Sequence, residues 1–77
     1  MSYRVRAAVK TIRELRQDAG LTQLELANRV GVTPSAVYNW ERGRNEPTAT
    51  SLRDLARVLG VSMDSISLEV WDLKSAA

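Results

Sequence analysis

The sequence predicts an all-α domain of five short helices, and three observations carry that expectation. A junction of glycine, apolar residue and hydroxyl residue occurs three times, as Gly20-Leu21-Thr22, Gly31-Val32-Thr33 and Gly60-Val61-Ser62. The stretches between these junctions carry apolar residues at helical spacing. The chain has 77 residues without a low-complexity segment or linker, which is read as one domain spanning 1–77.

Each junction has a mechanical meaning. Glycine takes the left-handed conformation that closes the preceding helix. The hydroxyl residue then caps the next one. The apolar residue sits just outside the cap and can staple onto a residue five positions on. Those partners are Leu26, Val37 and Ile66, all apolar. Thr22 also has Glu25 three residues later, the pattern of a capping box.

The elements follow in order. Helix 1 is expected to end near Ala19, with Val5, Ala8, Ile12, Leu15 and Ala19 as its apolar stripe. Helix 2 is expected over about Gln23 to Val30. Helix 3 is expected over about Pro34 to Arg42, with Pro34 at the favoured first position and Gly43 closing it. Arg44-Asn45-Glu46-Pro47 reads as a polar loop. Helix 4 is expected over about Ala49 to Leu59, with Leu52, Leu55, Ala56 and Leu59 on one face. Helix 5 is expected to start after Ser62. Its far end stays open: Ile66, Leu68 and Val70 alternate as in a strand, whereas Ile66, Val70 and Leu73 fit a helix.

Composition narrows the function. There is no cysteine and no histidine, so disulfides, thiolate metal sites and the commonest general base are absent. The four glycines stand singly at helix ends, so there is no glycine-rich phosphate loop, and a carboxylate pair such as Asp54 and Glu46 has no supporting motif. No enzyme, metal or cofactor is expected. No apolar run approaches the roughly 20 residues of a membrane span, and Met1 to Lys10 lacks the apolar core of a signal peptide. The expectation is a cytoplasmic, nucleoid-associated protein with no membrane partner and no small-molecule ligand. The net charge of +2 is unevenly placed: residues 58–77 hold Lys74 against Asp64, Glu69 and Asp72. A basic body before an acidic tail suits a polyanion.

Helix 2, a tight turn and helix 3 together read as a helix-turn-helix. Counted from Gln23, the fifth residue is Ala27, where a large side chain would strike the crossing helix. The ninth is Gly31, in the turn. Leu26, Val30, Val32, Val37 and Trp40 supply the apolar positions that lock the two helices together.

The stretch from Ile12 to Ile66 resembles the phage-repressor and Cro-type helix-turn-helix family, also called lambda-repressor-like or xenobiotic-response-element-like. The matching residues are Ile12-Arg13-Glu14-Leu15-Arg16, Gly20-Leu21-Thr22-Gln23, Leu26-Ala27, Val30-Gly31-Val32-Thr33, Val37, Trp40-Glu41-Arg42-Gly43, Pro47, Leu52, Leu55-Ala56 and Leu59-Gly60-Val61-Ser62. Leu24 departs from the pattern, which generally has a polar residue there. The resemblance implies a compact five-helix domain, dimeric on DNA, in transcription regulators of bacteria, phages and plasmids. A Cro-like repressor, a restriction–modification controller and an autorepressing antitoxin all fit.

Roles follow from docking helix 3 in the major groove. Ser35 and Asn39 are four apart and share a face. Asn39 suits an adenine edge, and Ser35 suits several bases. Pro34 and Tyr38 complete the candidate base contacts, Pro34 against a thymine methyl and Tyr38 against a methyl or a phosphate. The resemblance implies that Gln23, at the start of helix 2, holds a phosphate; Thr33, at the start of helix 3, is a candidate phosphate contact, as are Arg42, Arg44 and Asn45. The resemblance implies that Arg16 and Glu41 form a buried, structural ion pair between helices 1 and 3. Leu68, Val70, Trp71 and Leu73 make the tail too apolar for a disordered end. Residues 67–77 are therefore a candidate dimerisation tail, with folding back onto Val5 and Val9 as the alternative. The expected partners are double-stranded DNA with a palindromic operator and a second copy of the chain. A protein-interaction module on the same scaffold is the competing class.

Overall fold

Four α-helices, one 3-10 turn and a two-strand parallel pairing make up residues 9–68, the part of the chain that the computed structural model describes. The order is β1 (Lys10–Thr11), α1 (Ile12–Asp18), α2 (Gln23–Val30), α3 (Pro34–Glu41), α4 (Ala49–Leu59), the 3-10 turn (Met63–Ser65) and β2 (Ile66–Ser67).

Local chemistry explains where the helices begin. Thr22 accepts from the Glu25 N–H at 3.0 Å, and the Glu25 carboxylate accepts from the Thr22 N–H at 2.9 Å. That backbone bond holds the Glu25 carboxyl below its ordinary range. Thr33 caps α3 through the Ala36 N–H at 3.2 Å. Two caps were not read from the sequence. Thr11 and Glu14 form a second capping box at the start of α1, and Thr48 caps α4 through the Ser51 N–H at 3.1 Å. The Thr11 cap starts α1 at Ile12, later than the apolar stripe suggested. Val5 and Ala8 lie outside the described residues, and Val9 is exposed.

The turn between α2 and α3 depends on Gly31. Its own N–H ends the helical ladder on the Ala27 carbonyl at 2.8 Å, and its φ of +85° turns the Val32 N–H onto the same carbonyl at 3.0 Å. Ala27 is fully buried where α2 meets α3, as its fifth position required. Leu26, Val37 and Leu55 are fully buried beside it, and Ile12, Leu15, Val30, Ala56 and Ile66 complete the core. Burying one such Leu or Val side chain contributes about 1.5–3 kcal/mol. Trp40, Leu52 and Leu59 pack half-buried around this centre.

The expected fifth helix is corrected by the structure. After Gly60 closes α4 at φ +73°, the chain makes a single 3-10 turn and then extends. Ser62 makes no capping bond to the backbone; its hydroxyl pairs with that of Ser65 at 3.0 Å. Ile66 pairs with Lys10, and Ser67 with Thr11, in parallel. Parallel strands need a long crossover, and here the whole four-helix body supplies it. Ile66 reaches the core, as its stapling position suggested, but from a strand. Burial of a β-branched residue against β1 outweighs the local helix signal.

Candidate nucleic-acid interface

Helix α3 divides cleanly into two faces. Val37 is fully buried and Trp40 packs half-buried on the core. Thr33, Pro34, Ser35 and Tyr38 are exposed, and Asn39 is half-buried beside them. The spacing of Ser35 and Asn39 puts both on one side of the helix, with Ala36 adjacent. The candidate base contacts are thus gathered on one short helix.

The orientation of α3 is held by a bonded cluster around Glu41. Arg16 donates from Nε to one carboxylate oxygen of Glu41 at 2.6 Å, and from Nη2 to the other at 3.1 Å. Its Nη1 reaches the Leu21 carbonyl at 2.9 Å. The side chains are only 13% and 4% exposed. The Glu41 hydrogen bond raises the Arg16 guanidinium above its already high ordinary value. This is the two-pronged geometry that arginine forms best with a carboxylate. One more partner was not read from the sequence: Gln23 donates its amide to Glu41 at 3.0 Å. The first residue of α2 is therefore tied to the last residue of α3. One amide hydrogen and the amide oxygen of Gln23 remain for a further contact.

A cleft of about 230 Å³ opens beside this cluster, lined by Arg13, Arg16, Gln23, Tyr38, Glu41 and Arg42. Arg13 was not among the sequence candidates. The signal was its spacing, three residues before Arg16 on the same helix. The guanidinium carbons of Arg42 and Arg44 lie 5.5 and 6.0 Å from the centre of the Tyr38 ring. Arg44 and Asn45 are exposed in the loop after α3. Gln23, Arg42 and, of the candidate base contacts, Tyr38 thus border one cleft, whereas Pro34, Ser35 and Asn39 do not line it. Leu68 packs half-buried on the core of its own chain, and Val70, Trp71 and Leu73 lie outside the described residues.

Among the described residues no group of three or more His, Cys, Asp or Glu side chains could hold a metal ion. No described helix is long and apolar enough to cross a membrane.

Known proteins are similar to this chain in sequence or in structure. An uncharacterized HTH-type transcriptional regulator of Methanothermobacter thermautotrophicus is 49% identical over 49 residues, covering 64% of this chain and 71% of its own. Multiprotein-bridging factor 1 of Candida albicans is 41% identical over 54 residues, 70% of this chain but only 36% of that protein. The crystal structure of the P22 c2 repressor, solved in complex with a synthetic operator, aligns with a TM-score of 0.69 at 32% identity. That alignment covers 75% of this chain and 89% of the repressor chain. The helix-turn-helix family model matches residues 12–66, from the first residue of α1 to the first of β2. The chain belongs to the helix-turn-helix family.

Proposed function

We propose that this chain is a DNA-binding transcriptional regulator, most simply a repressor, that inserts α3 into the major groove of an inverted-repeat operator as a dimer. One observation carries the reading: α3 exposes Thr33, Pro34, Ser35 and part of Asn39 while Val37, Trp40 and Glu41 fix its other side. An exposed polar face on a rigidly held helix is what base reading requires. The resemblance to an operator-bound repressor and to a regulator supports it. Asn39 and Ser35 address base edges, and Pro34 offers apolar contact. Gln23, Thr33, Arg42, Arg44 and Asn45 address phosphates. Self-association is assigned to the apolar residues Leu68, Val70, Trp71 and Leu73. On this reading the protein works at the nucleoid.

Selection from a pool of random duplexes tests the proposal. The expected outcome is an enriched palindrome with half-sites one helical turn, roughly 10 bp, apart. Recovery of no preferred sequence contradicts it. The exposed Leu24 and the likeness to a bridging factor favour a second reading, a protein-interaction module. That reading gains if the chain shows no salt-dependent affinity for any duplex.

A further inference from the structure

Two arginines share one aromatic ring. Tyr38 on α3 and Arg42, the residue that caps its end, are one turn apart, whereas Arg44 lies beyond Gly43. Gly43, at φ +73°, turns the chain back on itself. Its N–H reaches the Trp40 carbonyl at 3.1 Å, and the Arg44 N–H reaches the Asn39 carbonyl at 3.0 Å. This double closure fixes the backbone of Arg44 to the end of α3. Both guanidinium groups then lie within 6.0 Å of the Tyr38 ring centre.

The arrangement gathers positive charge, and the one acid on the cleft, Glu41, is already bonded to Arg16 and Gln23. None of the ion pairs among the described residues uses Arg42 or Arg44. Arg13, on the rim of the same cleft, enters none of them either. Arg16 differs, because Glu41 neutralises it. Like charges held together oppose one another. The negative face of an aromatic ring attracts both guanidinium groups, and an anion would complete the balance.

We propose that Tyr38 is a positioning residue whose ring holds Arg42 and Arg44 together as a clasp for the phosphate backbone of duplex DNA, and that it reads no base. The proposal rests on the docking of α3 argued above. It moves Tyr38 from the base contacts expected from the sequence to the phosphate contacts. An arginine loses rotamer freedom when it binds, and a shelf that pre-orders two of them lowers that cost. Phosphate contacts carry no sequence information, so removing the shelf weakens every duplex alike.

The test is a salt series of binding by the full chain to a random-sequence duplex and to a duplex recovered by selection. Tyr38→Leu is expected to weaken both by the same factor, on the order of tenfold, and to flatten the salt dependence. Tyr38→Phe keeps the ring and retains both properties. In a chain already carrying Arg42→Ala and Arg44→Ala, Tyr38→Leu has no further effect. Melting temperatures stay at the wild-type value throughout, because Tyr38 is 41% exposed. A changed base preference, a loss confined to the selected duplex, or Tyr38→Phe as damaging as Tyr38→Leu overturns the proposal. A wild-type chain that binds neither duplex overturns the docking reading itself, and this proposal with it.

Discussion

Two charge pairs tie α1 to different elements, each with a shortest contact of 2.6 Å. Arg16 reaches across to Glu41 on α3, where the two side chains are 13% and 4% exposed. Asp18 reaches back to Lys10 on β1, where the exposures are 56% and 43%. The first pair uses two prongs and gains Leu21 and Gln23 as further partners. The second is a single exposed contact. Surroundings therefore decide what a charge pair does. Water screens the Lys10–Asp18 pair and leaves its long side chains free to move. The Arg16–Glu41 pair is shielded, and its geometry sets where α3 points. The end near Lys10 also carries the larger opening, about 400 Å³ and lined by Leu15, Ala19, Leu59 and Val61 among others. Its size does not make it the site, since neither the exposed polar face of α3 nor Arg42 and Arg44 line it.

The strongest way to break this contrast is to remove one member of the shielded pair. Glu41→Ala leaves the Arg16 guanidinium without its counter-charge and should destabilise the fold by about 3–5 kcal/mol, measured by urea unfolding. An unchanged midpoint would contradict the structural role. Replacing both members, Arg16→Met with Glu41→Leu, should recover much of that loss, because an apolar pair avoids the desolvation cost. Its binding should remain impaired, since Gln23 loses its anchor.

On the outward face the effects should appear in binding and not in folding. Asn39→Ala should cost about 1–3 kcal/mol of operator affinity and relax preference at one base position. Arg44→Ala should weaken all duplexes alike and flatten the salt dependence. The reverse pattern would mean that another face docks.

The smallest effects belong to the exposed charges. Lys10→Ala should leave the melting temperature within measurement scatter, and a clear drop would put that pair on a par with Arg16–Glu41. Glu25 sharpens the point through pH. Its carboxyl is held below the ordinary value of 4.5 by the Thr22 backbone bond. The stabilisation is therefore fully present above that value and lost as pH falls through the lowered folded value. Glu25→Gln should show a shallower loss on acidification. Identical acid limbs in the two chains would count against the capping box.

How much of this was legible in the sequence follows from the range of each interaction. Thr22, Glu25, Gly31 and Thr33 act within a few residues, so the boundaries of α2 and α3 could be read directly. The same rules gave no warning that Ser62 would fail as a cap. What decides that segment is the pairing of Ile66 with Lys10, and no local pattern encodes a contact between residues so distant in the chain. The core positions Ala27 and Val37 were legible because helical spacing fixes the facing side. The Arg16–Glu41 pair was legible by resemblance, and the common face of Ser35 and Asn39, candidates for base contact, by spacing. The tie between Gln23 and Glu41 was not, because it depends on the crossing of α2 over α3. The approach of Arg42 and Arg44 to Tyr38 was hidden for a related reason. It requires the left-handed turn at Gly43 to bring Arg44 back.

The measurement that bears most directly on the contrast between the two regions is a residue-by-residue map of amide shifts by NMR as duplex DNA is added to the full chain. The account predicts that the changes concentrate on Gln23, on Thr33 to Asn39 and on Arg42 to Asn45. Lys10, Asp18 and Leu59 should stay close to their free positions. A map centred instead on β1, the end of α4 and the 3-10 turn would contradict the assignment of α3 as the docking element.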